Sequence, residues 1–186
     1  MTVKSDKWII EKSEQDEMIK PFAREQIRNG ISFGVSSYGY DISLADEFKI
    51  LKVDRLDELD PKKDNTEHFE DIKAKSILIP AHSFALARTK EYFKIPRNIL
   101  TICTGKSTYA RCGVVVNVTP FEPEWEGFAT ISLSNTSPLP VRVYADEGIG
   151  QLIFLEANEE CITSYKDKKG KYQAQKEITL AKSDKE

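Results

Sequence analysis

The apolar residues of this chain change their spacing twice. Residues 5 to 29 read as helical. Ser5 or Asp6 is placed to cap a first helix, and "EQIRNG" ends a second segment with glycine after its last turn. Residues 51 to 75 are dense in charge and poor in apolar periodicity, which predicts a surface excursion with a turn at Asp60-Pro61. From residue 76 the pattern becomes short runs rich in Val, Ile, Phe and Thr: "SILIP", "SFALART", "LTICT", "GVVVNVTPF", "FATISLSNT", "VRVYA" and "GQLIFLE". Turn signals at Ile95-Pro96, Glu122-Pro123, Ser137-Pro138 and Glu147-Gly148 separate them. Short strands at even spacing predict an all-β barrel or sandwich. The tail "SYKDKKGKYQAQKEITLAKSDKE" is polar and charged, and is expected to be mobile until something orders it. No internal repeat is present. The reading is one domain over residues 1–186: a helical segment over 1–30, a β-barrel over 31–160 and a C-terminal lid over 161–186.

Composition narrows the function. With 186 residues the chain is long enough for one sizeable core, and 40% hydrophobic with 31% charged residues is the balance of a soluble domain. A net charge of −3 argues against a basic nucleic-acid surface, though a local basic cluster could still take a small anion. Cys103, Cys112 and Cys161 have neither metal-ligand spacing nor a disulfide framework, which favours a reducing cytoplasm. The start "MTVKSDKWIIEK" lacks the apolar run of a signal peptide, and nothing approaches the ~18 apolar residues of a membrane span. A cytoplasmic protein bound neither to membrane nor to nucleic acid is expected.

The stretch "CTGKSTYARCG" invites comparison with a phosphate-binding P-loop. That motif needs a glycine five residues before Gly105, where Leu100 stands. It should also open a helix in a parallel sheet, and here both flanks read as β. The P-loop is rejected, but Lys106, Ser107, Thr108 and Arg111 remain a dense donor cluster suited to phosphate oxygens. The plain alternative is a solvated turn between strands. His68 and His82 have no acid-base partner at motif spacing and read as surface or structural residues. The H-x-E and P-C-x-x-C signatures of zinc nucleobase deaminases do not occur, nor does a G-x-S-x-G elbow.

Three stretches carry a resemblance: "SSYGYDI" (36–42), "IPRNILTICTGKSTYARCGVVVNVTPFEPEWEGFATISLSNTSPLP" (95–140) and "SYKDKKGKYQAQ" (164–175). They resemble the bacterial dCTP deaminases, relatives of the trimeric dUTPases, over nearly the whole chain. The resemblance implies a mainly β fold, a distorted jelly-roll barrel of the dUTPase type with N-terminal helices. It also implies a homotrimer with active sites between subunits. The implied reaction converts dCTP to dUTP and ammonia, with Mg2+ bound to the triphosphate and no zinc. Lys106, Ser107, Thr108 and Arg111 then form the core of the site. Ser107 binds phosphate or orients water, and Arg111 reaches toward the base and the attacking water. Val118 and Thr119 offer backbone groups to the cytosine edge, Glu122 lies near the sugar, and Gln151 joins the nucleotide-binding set. Tyr165, Lys171 and Gln175 close over the triphosphate.

The chain departs from that pattern at site positions. The family's proton-transferring glutamate belongs to a strand reading T-(L/I)-E-(F/I)-S-N; here it reads Thr130-Ile131-Ser132-Leu133-Ser134-Asn135. A serine hydroxyl without a base partner does not deprotonate water near neutral pH, and loss of a general base costs about a hundred- to ten-thousand-fold in rate. Ser43 stands where the motif carries arginine, and a charge pairing between these two positions would explain a joint loss. Ala174 and Glu177 replace two glycines of the tail. Glu122, Glu124 or Glu126 in "EPEWEG" could supply a substitute base. Three activities stay open: a dCTP deaminase, weakened or with another base; a silent nucleotide-binding or regulatory homologue; and a dUTPase-like diphosphatase using Glu122.

Overall fold

The computed structural model describes residues 1–52 and 58–183. The chain opens with β1 (Thr2–Val3), α1 (Asp6–Asp16) and β2 (Ile19–Lys20), then forms β3 (Gly34–Ser36) and β4 (Gly39–Leu51). A 3-10 turn at Thr66–His68 leads into β5 (Phe69–Lys73), β6 (Ser76–Ile79), β7 (Phe84–Lys94) and β8 (Ile99–Gly105). After a single helical turn, α2 (Ser107–Ala110), come β9 (Val114–Asn117), β10 (Glu126–Asn135), β11 (Val141–Tyr144) and β12 (Gly148–Glu156). The strands from residue 76 onward coincide with the seven apolar runs of the sequence.

Ten strands form one curled antiparallel sheet with the path β1-β12-β4-β7-β10-β9; β6 and β11 pair separately. β8 joins β12 in a register running from Gly150↔Gly105 to Glu156↔Ile99. The curl brings β8 back toward the far end of the path. There Thr101 and Phe121 exchange hydrogen bonds: Phe121 N donates to Thr101 Oγ1 at 2.9 Å and Thr101 N to Phe121 O at 3.1 Å. The outcome is the mainly β, dUTPase-like barrel that the resemblance implied. Its core is built from Tyr40, Ile42 and Phe48 of β4, Phe93 of β7, Ile131 and Leu133 of β10, and Phe154 of β12. Each such side chain stabilises the fold by roughly 1.5–3 kcal/mol. No helix among the described residues is long and apolar enough to cross a membrane.

Two local expectations are corrected. The helical segment ends at Asp16, not near residue 29. Ile19 and Lys20 pair instead with Phe93 and Tyr92 of β7, Pro21 withholds a helical donor, and Ile27 bridges Phe33. Tertiary pairing has overridden helical pattern there. The charged excursion keeps its turn, with Lys63 N donating to Asp60 O at 3.0 Å, but its last part is strand β5, registered from Leu51↔Phe69 to Glu47↔Lys73. Residues 53–57 of that excursion lie outside the described residues.

Candidate active site

β10 alternates strictly: Ala129, Ile131 and Leu133 enter the core while Thr130 and Ser132 face outward. Ser132 is registered against Leu86 of β7 on one side and Asn117 of β9 on the other. These residues line a cavity of about 780 Å³. Its walls include Val118, Thr119 and Glu122 from the segment between β9 and β10, and Tyr165, Lys171 and Gln175 from the C-terminal tail. Seven residues singled out in the sequence therefore meet around one space. Leu100, Phe121 and Trp125 give it an apolar lining suited to a base or sugar.

The tail forms one wall because it is fastened along the start of β10. Trp125 Nε1 donates to Tyr172 O at 2.9 Å, Ala174 N to Glu126 O at 2.9 Å, Phe128 N to Gln175 O at 3.0 Å and Gln175 Nε2 to Phe128 O at 3.0 Å. Thr179 N donates to Thr130 Oγ1 at 3.0 Å, which carries the tail to the turn of strand beside Ser132. Ala174 holds φ at 56°, left-handed backbone in which glycine is the low-cost residue. Glu177 is exposed and is not part of the cavity wall.

Lys106, Ser107, Thr108, Arg111 and Gln151 are absent from that wall. Ser107, Thr108 and Arg111 are exposed at the turn between β8 and β9, where Arg111 Nη1 donates to Ser107 O at 2.9 Å. The sequence expectation of β on both flanks is corrected by α2, yet β8 is antiparallel to β12, so the parallel sheet of a P-loop is missing. Lys106 is paired with the buried Asp41 of β4. Gln151 Nε2 reaches Asp41 Oδ1 at 3.2 Å and Ser36 Oγ at 2.8 Å, while Gln26 Nε2 reaches Asp41 Oδ2 at 3.1 Å. Asp41 as the organiser of this cluster was missed, although it lies inside the quoted "SSYGYDI". The chain thus presents two groups, a cavity and a separate cationic loop.

The three carboxylates of "EPEWEG" are occupied. Glu122, the one that lines the cavity, is ion-paired with Lys168 of the tail at 2.5 Å. Ser164 and Arg97 beside Glu124 hold its carboxyl below the ordinary range, which weakens it as a base. Glu126 lies against Tyr92, whose phenol is raised by burial and by that carboxylate. Among the described residues the cavity wall offers no other carboxylate.

Ser43 does not belong with Ser132. It is fully buried and donates from Oγ to Glu91 Oε1 at 2.7 Å, with its backbone N–H at 3.1–3.2 Å from both carboxyl oxygens. Glu91 is buried in turn, and burial pushes its pKa up to about 7. In this chain the partner of position 43 is Glu91 of β7, held by hydrogen bonds from a neutral serine and not by an ion pair.

Comparison with known proteins places the chain in a family. A family model described as dCTP deaminase-like matches residues 3–157. A dCTP deaminase of Janthinobacterium sp. (strain Marseille) is 58% identical over 188 residues, covering 98% of this chain and 100% of that one. Those of Nitrosomonas europaea and Ralstonia pickettii (strain 12J) are 57% and 56% identical with the same coverage. Among solved structures, the 2'-deoxycytidine 5'-triphosphate deaminase of Agrobacterium tumefaciens superposes with a TM-score of 0.63 at 13% identity, over 81% of this chain and 46% of that chain, a likeness of fold. With the model match and full-length identities well above half, the chain belongs to the dCTP deaminase-like family.

Proposed function

We propose that the cavity binds a deoxypyrimidine nucleoside triphosphate and that its reaction is hydrolytic deamination of dCTP to dUTP and ammonia. The observation that carries this reading is the meeting of Val118, Thr119, Glu122, Ser132, Tyr165, Lys171 and Gln175 around one space, in a chain so similar to proteins named dCTP deaminase. The phosphate donors Lys106, Ser107, Thr108 and Arg111 lie outside their own protomer's cavity, which supports a homotrimer in which one subunit's loop completes its neighbour's site. Among the described residues of the cavity wall, hydroxyls, amides and the carboxylate of Glu122 suit a hydrated Mg2+ carried on phosphate oxygens, and none is an imidazole or thiolate of the kind zinc prefers. That ion would neutralise phosphate charge.

Deamination adds water at C4 of the cytosine ring and moves a proton to the departing amine. Apolar walls exclude bulk water, and backbone groups at Val118 and Thr119 are suited to fix the base edge. Ser132 is placed to hold the attacking water by a hydrogen bond. Its hydroxyl cannot take the proton near neutral pH, and Glu122 is committed to Lys168. Turnover is therefore expected about a hundred- to ten-thousand-fold below that of an enzyme with a positioned base. The same absence of a free carboxylate favours a second reading, nucleotide binding without turnover.

The test is incubation with dCTP and Mg2+, resolving dUTP from dCTP, with calorimetry in parallel. Slow dUTP formation and a rise of about a hundredfold or more in Ser132→Glu support the deaminase. Tight binding with no product in either protein sinks it and leaves the binding homologue. Release of pyrophosphate from dUTP would turn the reading to a diphosphatase.

A further inference from the structure

Contacts at the root of the tail converge on one side chain outside the cavity. Arg97 lies in the turn between β7 and β8. Its Nη1 donates to Glu124 Oε2 at 2.5 Å, and Nη2 lies 2.9 Å from Asp167 Oδ2. Nη2 also reaches the backbone oxygens of Cys161 at 3.3 Å and Ile162 at 3.2 Å. One guanidinium thus joins the barrel, the cavity loop and the root of the tail. Its planar fork of five donors can serve several acceptors at once, which a lysine ammonium cannot do in that geometry.

The acceptors are presented to it. Ser164 N donates to Asp167 Oδ2 at 3.1 Å while Asp167 N donates to Ser164 Oγ at 3.2 Å, a reciprocal cap that fixes the carboxylate. Between those two residues stands Tyr165. Its backbone N–H donates at 3.0 Å to the oxygen of Pro123, which is flanked by Glu122 and Glu124. The place where Arg97 grips the tail is therefore the place where the tail turns into the cavity. Beyond it the chain folds over the Tyr165 ring, with Tyr172 N donating to the phenolic oxygen at 3.1 Å. Arg97 itself is not part of the cavity wall.

We propose that Arg97 is a positioning residue for nucleotide binding: it latches residues 160–167 to Glu124 and so sets the tail wall that carries Tyr165, Lys171 and Gln175. The proposal rests on reading the cavity as a nucleotide site, but the latch has its own readout. The experiment compares wild type, Arg97→Ala, Arg97→Lys and Asp167→Asn by hydrogen exchange without nucleotide and by calorimetric titration with dCTP and Mg2+. Arg97→Ala is expected to speed exchange about tenfold at the tail amides of Tyr165, Gly170 and Ala174, and to leave the amides of β7 and β12 unchanged. Nucleotide affinity is expected to weaken about tenfold, with Arg97→Lys and Asp167→Asn in between. Unchanged tail exchange in Arg97→Ala overturns the latch, as does exchange that rises equally throughout the barrel. Faster tail exchange at wild-type affinity overturns the positioning role in nucleotide binding. If wild type binds neither dCTP nor dUTP, the nucleotide reading fails, and tail exchange still decides whether Arg97 is a latch.

Discussion

Replacing Glu91 with glutamine should make the protein more stable above neutral pH and leave it nearly unchanged in acid. Glu91 is 1% exposed, and its close partner is the neutral Ser43. Burial is the dominant cause of its raised pKa; the hydrogen bonds from Ser43, the Glu91 backbone and the charge of Lys90 only partly offset it. Tyr40 lies near enough for the ionised carboxylate to raise its phenol further, adding to the effect of burial. A carboxyl moved from 4.5 to about 7 binds its proton more tightly in the folded chain than in the unfolded one. Stability from this group is thus fully present below pH 4.5 and is lost as pH rises through about 7. At about 1.4 kcal/mol per pH unit, ionising Glu91 costs about 3 kcal/mol.

Glutamine keeps the shape and removes the cost. Its carbonyl can accept from Ser43 N, and its amide can donate to Ser43 Oγ, reversing one bond. Urea unfolding followed by tryptophan fluorescence, at fixed protein concentration over a range from about pH 5 to about pH 8, measures the difference directly. The variant should match wild type at the acid end and exceed it by about 2–3 kcal/mol at the alkaline end. A difference independent of pH, or a variant less stable at about pH 8, would refute the assignment of a neutral buried acid.

Two substitutions in the tail should act in opposite directions. A Cβ at Gly170 would lie 2.2 Å from Cε1 and Cζ of Tyr165, so Gly170→Ala must push the ring out of its turn; tryptic cleavage after Lys168 and Lys171 should accelerate while barrel melting stays put. Ala174→Gly removes the strain of left-handed backbone at φ 56°, worth roughly 1 kcal/mol, and should slow exchange of the Ala174 and Phe128 amides severalfold.

The sequence showed the strands whose two faces differ and concealed those whose faces do not. β7 and β10 alternate buried and half-exposed residues, the pattern an apolar-polar count detects. β4 is buried from Gly39 to Ala45 on both faces, yet includes Asp41 and Ser43, so its polar letters mask a central strand. β5 reads as charged because only Phe69 and Ile72 turn inward at the edge of the sheet. The cavity residues could be gathered from motifs because the segments on either side of Pro123 and the tail lie close in the fold. The separation of the Lys106–Arg111 loop from that cavity is a matter of barrel closure, and no local spacing encodes it.

The two serines show why position in the fold, and not chemistry alone, decides what a substitution does. Ser132 is on the outward face of β10 between Leu86 and Asn117. A side chain there meets the cavity, so a carboxylate introduced at 132 faces that space without entering the core. Ser43 is in the interior against an acid that, among the described residues, has no cation in hydrogen-bonding contact. A change there alters the charge state of Glu91, and hence stability against pH, without reaching the cavity wall. On the proposed deaminase reading, Ser132→Glu alone is therefore expected to raise turnover. If a second change at position 43 proved necessary for turnover, coupling would have to run through β7, which carries both Glu91 and the cavity residue Leu86. The pH dependence of the Glu91→Gln variant's nucleotide affinity would expose that coupling: independence of the two sites requires affinity to follow wild type while stability does not.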